Sequence, residues 1–570
     1  MRKTFISLIL IGLLFVSCSK GKKEESKSID EKTNYSTMTT ISLPKYQGKT
    51  PEIGGTFRRS IPSDPVTLNP VVASDMTSYL VYKWIFDPLF DMDKDMNIIP
   101  VLVNGYKFSN DSLTLTLYLK KNVKWHDGKP FTADDVLFTF DAINDNSVEA
   151  INKRFAFEKV KNYKKIDDYT IEINYKEPYA SALFDLVLYI VPKHIYNYPQ
   201  GEGEKFNSHP QNNVPIGNGP FKFVKWQRGE SVTLSANEEY YNGRPKIDDL
   251  VLKVMPLAET EYSAFITNSL DLTRLTPEMW DEAVSNNTLK NSAYLLEFPS
   301  RQYFYIGWNS DGSNPFFSDK NVRRAMSYAI NREAFINVIL KKHGLPCTGP
   351  FYPGSEYCDP EVKPIPYDPQ IASKLLDEAG FKDSNGDGIR DKNGVEFEFE
   401  CIYPQVSRDY ERFLEFFRAD LKRVGVKMKL APVEWAIFLK RTNSHKFESF
   451  LSGYSYGDDP NPFMMYHSSM AELLPSGEGK GANDVSYKNS EVDKLIEEQM
   501  KETDPQKRKI ILRKIHRIIY DDQPYTYLVV PNNLAALKNK FQNVELSQKG
   551  YGLFTFYPAL LNWWVPKELR

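Results

Sequence analysis

A chain of 570 residues, 41% hydrophobic and 26% charged, with a net charge of −2, is long enough for several lobes and has the composition of an ordinary soluble protein. That near-neutral balance excludes the basic footprint of a nucleic-acid-binding protein. Aromatic residues reach 14%, with 34 Tyr, which fits a strand-rich core and an aromatic-lined cleft equally well.

The chain opens with Arg2 and Lys3, an apolar run from Phe5 to Val16, then Ser17 and Cys18. This is the pattern of an export signal, since the run is shorter than the roughly 20 residues that span a bilayer. Leu14-Phe15-Val16-Ser17-Cys18 resembles a bacterial lipobox, which implies lipidation of Cys18 and a signal peptide over residues 1–18. Residues 19–50 are polar and charged, too poor in apolar side chains to bury a core, and are expected to form a flexible tether. The folded part begins near Gly54.

Leu113, Leu115, Leu117 and Leu119 alternate with Thr114, Thr116 and Tyr118, the period of a half-buried strand, and Tyr169–Tyr175 reads likewise. Between them lies VKWHDGKPFTADDVLFTFDAI, residues 123–143. Its first half is a Gly/Pro turn, and Thr132 with Asp135 three residues on marks a capped helix whose apolar face carries Val136, Phe140 and Ile143. His126 and Asp127 have no third partner at ligand spacing, so the turn alone accounts for them. PIGNGPFKFVKW, residues 215–226, sets a turn before a strand, and two more strands flank Asn242-Gly243. Residues 319–340, 368–379, 410–424 and 488–520 read as helices. Gly425 separates the third of these from a strand at 426–430, a helix–Gly–strand step of α/β layering. The last 50 residues read as strand-like aromatic runs.

Several stretches carry candidate chemistry. In DSNGDGIRDKNG, residues 383–394, the side chains of Asp383, Asn385, Asp387 and Asp391 fall at positions 1, 3, 5 and 9 of an EF-type calcium loop, but position 12 is Gly394. Structural calcium and a polar hairpin turn both fit, and no other cofactor is expected. Walker, H-E-x-x-H and G-x-S-x-G motifs are absent, so the chain reads as a non-enzyme. With Cys18 set aside, Cys347, Cys358 and Cys401 remain. The Gly/Pro-rich loop between the first two predicts a Cys347–Cys358 bridge in an oxidising compartment, with Cys401 a buried thiol. SGYSYGDDPNPFMMYHSS, residues 452–469, reads either as an anchored loop or as a ligand-contact loop in which Tyr454 and Tyr456 offer aromatic faces and acids meet a cation.

Residues 123–143 resemble the signature of the extracellular solute-binding proteins, family 5, of peptide and nickel ABC importers. An ordered series of strings carries the same resemblance over nearly the whole mature chain: SDPVTLNP (63–70), NGPFKFVKW (218–226), FFSDKNVRRAMSYAINRE (316–333), YDPQIASKLLDEAGF (367–381) and DLKRVGVKMKLAPVEWAIF (420–438). The resemblance implies an α/β, two-lobed periplasmic-binding-protein-like fold of type II, with a mixed α+β extra subdomain on the first lobe. The expected bounds are 51–105 and 206–300 for lobe I, 106–205 for the extra subdomain, 301–520 for lobe II, and 521–570 for the return to lobe I.

It also implies a receptor, not an enzyme, which closes by a hinge over an extended oligopeptide held through main-chain hydrogen bonds. Its expected partners are the importer permease and, through the lipid anchor, the bacterial cell membrane; nucleic acid is not expected, and the protein is expected to be exported and monomeric. Carried over by position, Ser74 to Met76 offer part of a backbone edge, and Trp435, Arg441 and Tyr454 line the cleft. Peptide binders of the family often read G-W-x-x-D where this chain has G-Y-S-Y-G, which puts Gly457 at the place of the ammonium-binding acid and leaves Asp458 or Asp459 to take that role. The loop resembles oligopeptide-importer members more than nickel binders. Other solutes (an oligosaccharide or a metal chelate) and a surface chaperone or adhesin are the alternatives.

Overall fold

The computed structural model describes residues 50–405 and 408–570. The expected signal, Cys18 and the tether to residue 49 lie outside the described residues. No helix among the described residues is long and apolar enough to cross a membrane.

Lobe I is built on a four-stranded sheet. Thr56–Ile61 runs parallel to Asp249–Val254, which pairs antiparallel with Ser231–Ala236, and that in turn with Phe221–Gln227. The extra subdomain is a four-stranded antiparallel sheet in the order Val103–Phe108, Thr114–Leu119, Thr170–Tyr175, Val160–Asp167. Leu115, Leu117 and Leu119 bury one face of that sheet in the same core as Val136, Phe140 and Ile143 of the helix Ala133–Asn144. The helix begins with the expected capping box. The Thr132 hydroxyl accepts from the Asp134 N–H at 3.3 Å, and the Asp135 carboxylate accepts from the Thr132 N–H at 3.0 Å.

His126 fastens the turn before this helix to the loop at 217–219. Its own N–H donates to the Gly217 carbonyl at 2.7 Å, Nδ1 accepts from the Gly217 N–H at 3.2 Å, and Nε2 donates to the Gly219 carbonyl at 3.0 Å. A backbone N–H only donates and a carbonyl only accepts, so these partners fix a neutral ring with its proton on Nε2. The glycine is required there, since a Cβ on Gly217 would lie 1.9 Å from the Ile85 carbonyl oxygen. Asp127 accepts from His194 at 2.7 Å on the surface, beside this clasp.

Lobe II is a five-stranded sheet in the order Lys427–Val433, Glu398–Pro404, Ser449–Ser455, Gln302–Trp308, Tyr525–Tyr527. Alternation sorts its faces: Ile306 and Trp308 enter a core with the helices Lys320–Ala329, Pro369–Glu378 and Arg408–Lys422, while Tyr303 and Tyr305 enter another with Ser490–Lys501 and Pro505–Asp522. The stretch read as one helix over 319–340 is two, because Asn331 caps a second helix, Arg332–Val338.

Two segments join the lobes, and they are paired with each other. Gln302–Trp308 follows Ala293–Pro299, and Val529–Lys538 follows Tyr525–Tyr527. On lobe II Tyr305 faces Tyr527, and on lobe I Pro299 faces Asn532. Between these pairs the Leu528 N–H donates to Phe304 at 2.9 Å and the Ser300 N–H to Pro531 at 3.1 Å, so the ladder continues through the crossing. The return to lobe I expected from residue 521 comes later: Tyr525–Tyr527 still belongs to the lobe II sheet, Leu528, Val529 and Val530 pack in the lobe II cores, and the first pairing on the lobe I side is Asn532 with Pro299. Beyond Lys538 the expected strand-like runs are turns, with Phe541, Phe554 and Trp563 packed around Phe57.

Burial holds the His126 ring down to about 4, against about 6.5 in an unfolded chain. The unfolded chain takes up the proton first as pH falls, so this contribution is whole above pH 6.5 and is lost on the way down to about 4. Urea unfolding at pH 7 and pH 4.5 is expected to show a loss to which His126 contributes on the order of 1–3 kcal/mol. His126→Gln is expected to be less stable at pH 7 and to lose correspondingly less on acidification.

Candidate functional site

Arg301, in the bend between the two crossing strands' sheets, gathers the residues around it. Its guanidinium donates to the Tyr456 carbonyl at 2.9 Å and to the Gly457 carbonyl, and the Tyr456 N–H donates back to the Arg301 carbonyl at 2.8 Å. The same guanidinium lies 3.3 Å from Asp458 Oδ1 and 4.8 Å from the centre of the Tyr551 ring. Tyr551, from the turns that close lobe I, donates its hydroxyl to the same Oδ1 at 2.5 Å. Tyr551 stands between Gly550 and Gly552, both with positive φ; added Cβ atoms would lie 2.4 Å from Arg301 Cγ and 2.5 Å from Phe298 Cε2. The glycines let this turn approach the crossing closely.

Asp459 is placed differently from its neighbour. Its Oδ1 is 2.7 Å from Arg508 and its Oδ2 accepts from the Ser181 hydroxyl at 2.5 Å. Arg508 is buried on the helix Pro505–Asp522 and also donates to Gln499 at 3.0 Å, while Ser181 belongs to the extra subdomain. Asp459 thus ties lobe II to that subdomain, with both oxygens used, whereas both contacts of Asp458 fall on Oδ1.

A cavity of about 120 Å³ opens here, lined among others by Met96, Tyr303, Tyr352, Tyr454, Asp458 and Met465. Tyr454, Tyr456, Asp458 and Asp459 from the sequence reading all border it. Tyr454 is 40% exposed and presents its ring to solvent. Tyr456 does not: it is buried and stacked on Tyr303 with ring centres 4.4 Å apart, forming floor instead of a contact face. Trp435 is 46% exposed, at the start of the helix Trp435–Asn443, with its ring parallel to Phe438 at 5.7 Å.

Arg441 lies elsewhere. Six residues beyond Trp435 on a helix of 3.6 residues per turn, it faces another direction, pairs with Glu400 at 2.6 Å, and lines a separate, open cavity of about 1010 Å³. Ser74 and Met76 do not form an extended edge. Asp75 caps a short helix, Met76–Tyr82, so the backbone turns helical at Met76, and the exposed Ser74 and Met76 border neither cavity.

The cysteine expectation is corrected: Cys347 and Cys358 are buried free thiols, as is Cys401. Cys358 has the Thr348 hydroxyl 3.9 Å from its sulfur, and burial pushes the thiol up to about 11 and those of Cys347 and Cys401 up to about 12, which keeps them protonated and unreactive. The calcium loop is an exposed turn whose acids serve the turn itself. Asp383 accepts from the Gly386 and Gly388 N–H groups at 2.8 and 3.0 Å, Asp387 from Ile389 at 2.7 Å, and Asp391 from Ser384 at 3.0 Å, while Asn385 accepts from Asp387 at 3.0 Å. Gly394 offers no twelfth-position carboxylate, and among the described residues no group of three or more His, Cys, Asp or Glu is arranged to hold a metal ion.

Sequence reasoning did not find Arg301, Tyr551 or Arg508. The alternation of Tyr303, Tyr305 and Phe304 in Gln302–Trp308 was a usable signal for a tyrosine-lined face, and the GYG at 550–552 for a tight approach. Arg508 reads only as one more cation on a helix.

Residues 97–472 match the family model described as bacterial extracellular solute-binding proteins, family 5 Middle. The oligopeptide-binding protein AppA of Bacillus subtilis (strain 168) is 30% identical over 580 residues, covering 99% of this chain and 99% of that one. Among solved structures, AppA from Bacillus subtilis in complex with a nonapeptide superposes with a TM-score of 0.71 at 29% identity, over 91% of this chain and 100% of the other. NikZ from Campylobacter jejuni in complex with Ni(L-His) gives 0.72 at 25% identity, over 89% and 99%.

Removing one partner of the Arg508–Asp459 pair strands a buried charge. Arg508→Ala and Asp459→Ala are each expected to lower unfolding free energy by about 3 kcal/mol. The double variant is expected to lose clearly less than the sum, a difference that a double-mutant cycle in urea measures directly.

Proposed function

This chain belongs to the bacterial extracellular solute-binding proteins of family 5, and on that premise we propose that it captures extended oligopeptides and hands them to the permease of an ABC importer. Members of this family are solute-binding proteins and not enzymes. The observation that carries the reading is the pairing of one exposed aromatic side chain with a half-exposed carboxylate at the crossing of the lobes. Tyr454 offers a ring face beside Asp458, and Asp458 keeps Oδ2 for an incoming group while Arg301 and Tyr551 fix Oδ1. A carboxylate held in this way meets a peptide ammonium without first having to be oriented.

Of the two adjacent acids, Asp458 is the anchor in this proposal, because both oxygens of Asp459 are engaged by Arg508 and Ser181. Exposed Tyr454 borders room for ligand side chains, and main-chain hydrogen bonds supply affinity with little sequence choice. Ligand touching both lobes favours a closed arrangement in proportion to its extra contacts there. Export by the signal at 1–18, lipidation at Cys18 and a monomeric state complete the proposal, with the tether at 19–50 holding the receptor near its permease.

A peptide library screened by thermal shift is expected to raise the unfolding temperature. Ligand at about 100 times its dissociation constant adds about 2.7 kcal/mol of apparent stability. Mass spectrometry of ligands that co-purify is expected to find peptides; finding only sugars or metal chelates, the latter in line with the likeness to the Ni(L-His)-bound NikZ, overturns the assignment. Asp458→Asn is expected to weaken peptides with a free amino terminus by about tenfold or more, and acetylated ones much less. An equal loss for both rules out the anchor.

A further inference from the structure

Arg59 is a cation that the reading so far does not use. It stands half-buried on Thr56–Ile61 in lobe I, with its guanidinium 4.6 Å from the centre of the Phe554 ring. Its side chain makes one hydrogen bond among the described residues, from Nε to the neighbouring Ser60 carbonyl at 3.3 Å, and neither Nη atom has a protein acceptor. The other shielded arginines differ. Arg323 donates through both Nη atoms to the Phe317 and Asp522 carbonyls at 2.7 and 2.9 Å, Arg332 through Nη1 to Ser327 at 2.9 Å, and Arg508 through Nη2 to Asp459 at 2.7 Å.

The idle end of Arg59 is not sealed in. The side chain lines a cavity of about 460 Å³ in lobe I, beside the Gly550-Tyr551-Gly552 turn, and its Nη atoms stay within reach of solvent. Arg59 and Arg274 are the charged residues of that lining, which holds no Asp or Glu. The acid whose charge acts on Arg59 is Glu261, and Arg274 occupies it: Glu261 accepts from the Arg274 N–H at 2.7 Å, from Nε at 3.0 Å and from Nη2 at 2.8 Å. Two arginines thus share one carboxylate. Asn533, exposed on the crossing strand Val529–Lys538, adds an amide donor to the same wall.

The cavity is also joined to the proposed anchor by one residue. Tyr551 lines it, and the Tyr551 hydroxyl donates to Asp458, which borders the cavity at the crossing. We propose that Arg59 and its cavity form a subsite for a carboxylate of the ligand, either its carboxy terminus or an acidic side chain, which rests on the peptide-receptor reading and adds a second charged contact to it. A guanidinium laid on an aromatic face presents its two Nη atoms as a fork, the geometry that a planar carboxylate meets with two parallel hydrogen bonds. An ammonium at Asp458 and a carboxylate at Arg59 also give the ligand one direction across the crossing, since reversal sets like charges against each other.

The test measures peptide affinities by calorimetry on the full chain and on Arg59→Gln and Arg59→Lys. Glutamine removes a charge that has no ion pair of its own, so the variant is expected to unfold at close to the native urea concentration. In one arm the peptides carry a free or an amidated carboxy terminus; in the other, amidated peptides carry glutamate or glutamine at each position in turn. In one of the two arms the carboxylate is expected to tighten binding to the native protein at least about tenfold. That arm names the source of the group. The preference is expected to vanish in Arg59→Gln and to return in part in Arg59→Lys, which restores the charge without the fork. No preference in either arm on the native protein, or one that survives in Arg59→Gln, overturns the subsite, while amidated peptides without acids still report the receptor. If no peptide binds, phenylacetate at millimolar concentration decides: a rise in unfolding temperature that is lost in Arg59→Gln supports the carboxylate site and sinks the peptide reading. No rise, or one given by inorganic phosphate in its place, overturns the site.

Discussion

Two strands of this chain leave one sheet and enter another at the same level, and they stay hydrogen-bonded to each other through the change. A lone strand crossing between lobes exposes unpaired amides and carbonyls, which are costly wherever water is excluded. Pairing answers that demand and sets the level at which every nearby side chain emerges. Arg301 comes out of the bend itself, so its guanidinium is within reach of the carbonyls of Tyr456 and Gly457 on the adjacent edge. The loop that carries the aromatic and acidic residues is thereby held in one place relative to the crossing.

That placement gives neighbouring residues of one type different work. Asp458 and Asp459 are adjacent in sequence, yet one meets Tyr551 from the end of lobe I and the other meets Arg508 beneath the loop. The distinction comes from solvation. Asp459, mostly shielded, has a partner on each oxygen, while Asp458, half in water, keeps one oxygen unengaged.

Local chemistry was the legible part of the sequence. Thr132 and Asp135 announced a helix start because a capping box closes within four residues, and the leucines at 113–119 announced a strand because alternation needs no knowledge of the partner. His126 was rightly read as part of a turn, but its clasp on Gly217 and Gly219 depends on residues about ninety positions away. The same distance hid Arg301 and Arg508, whose partners are 250 and 327 residues off at the farthest. Arg441 was misplaced by helical phase, and Met76 because Asp75 starts a helix where an extended edge was expected. The cysteine bridge was an argument from parity and compartment, and packing gave each sulfur other neighbours. The solute-binding family was legible throughout because its ordered strings mark turns and caps, which are local, while the ligand contacts are assembled at long range.

The strand Val529–Lys538 lies between Leu272–Leu275 and Ala293–Pro299, both made more than 230 residues earlier. A chain that is synthesised from its amino terminus therefore presents those two strands with facing edges open until its last tenth arrives. Lobe II, whose sheet is complete once Tyr525–Tyr527 has paired, closes around residues that are contiguous in the chain. Assembly thus ends where the two lobes meet: the final strand zips the first lobe shut, and the Gly550-Tyr551-Gly552 turn behind it seats the last side chain against Arg301. A product truncated before Val529 lacks both the zipper and the seat, so loss of a short carboxy-terminal piece disables the entire first lobe.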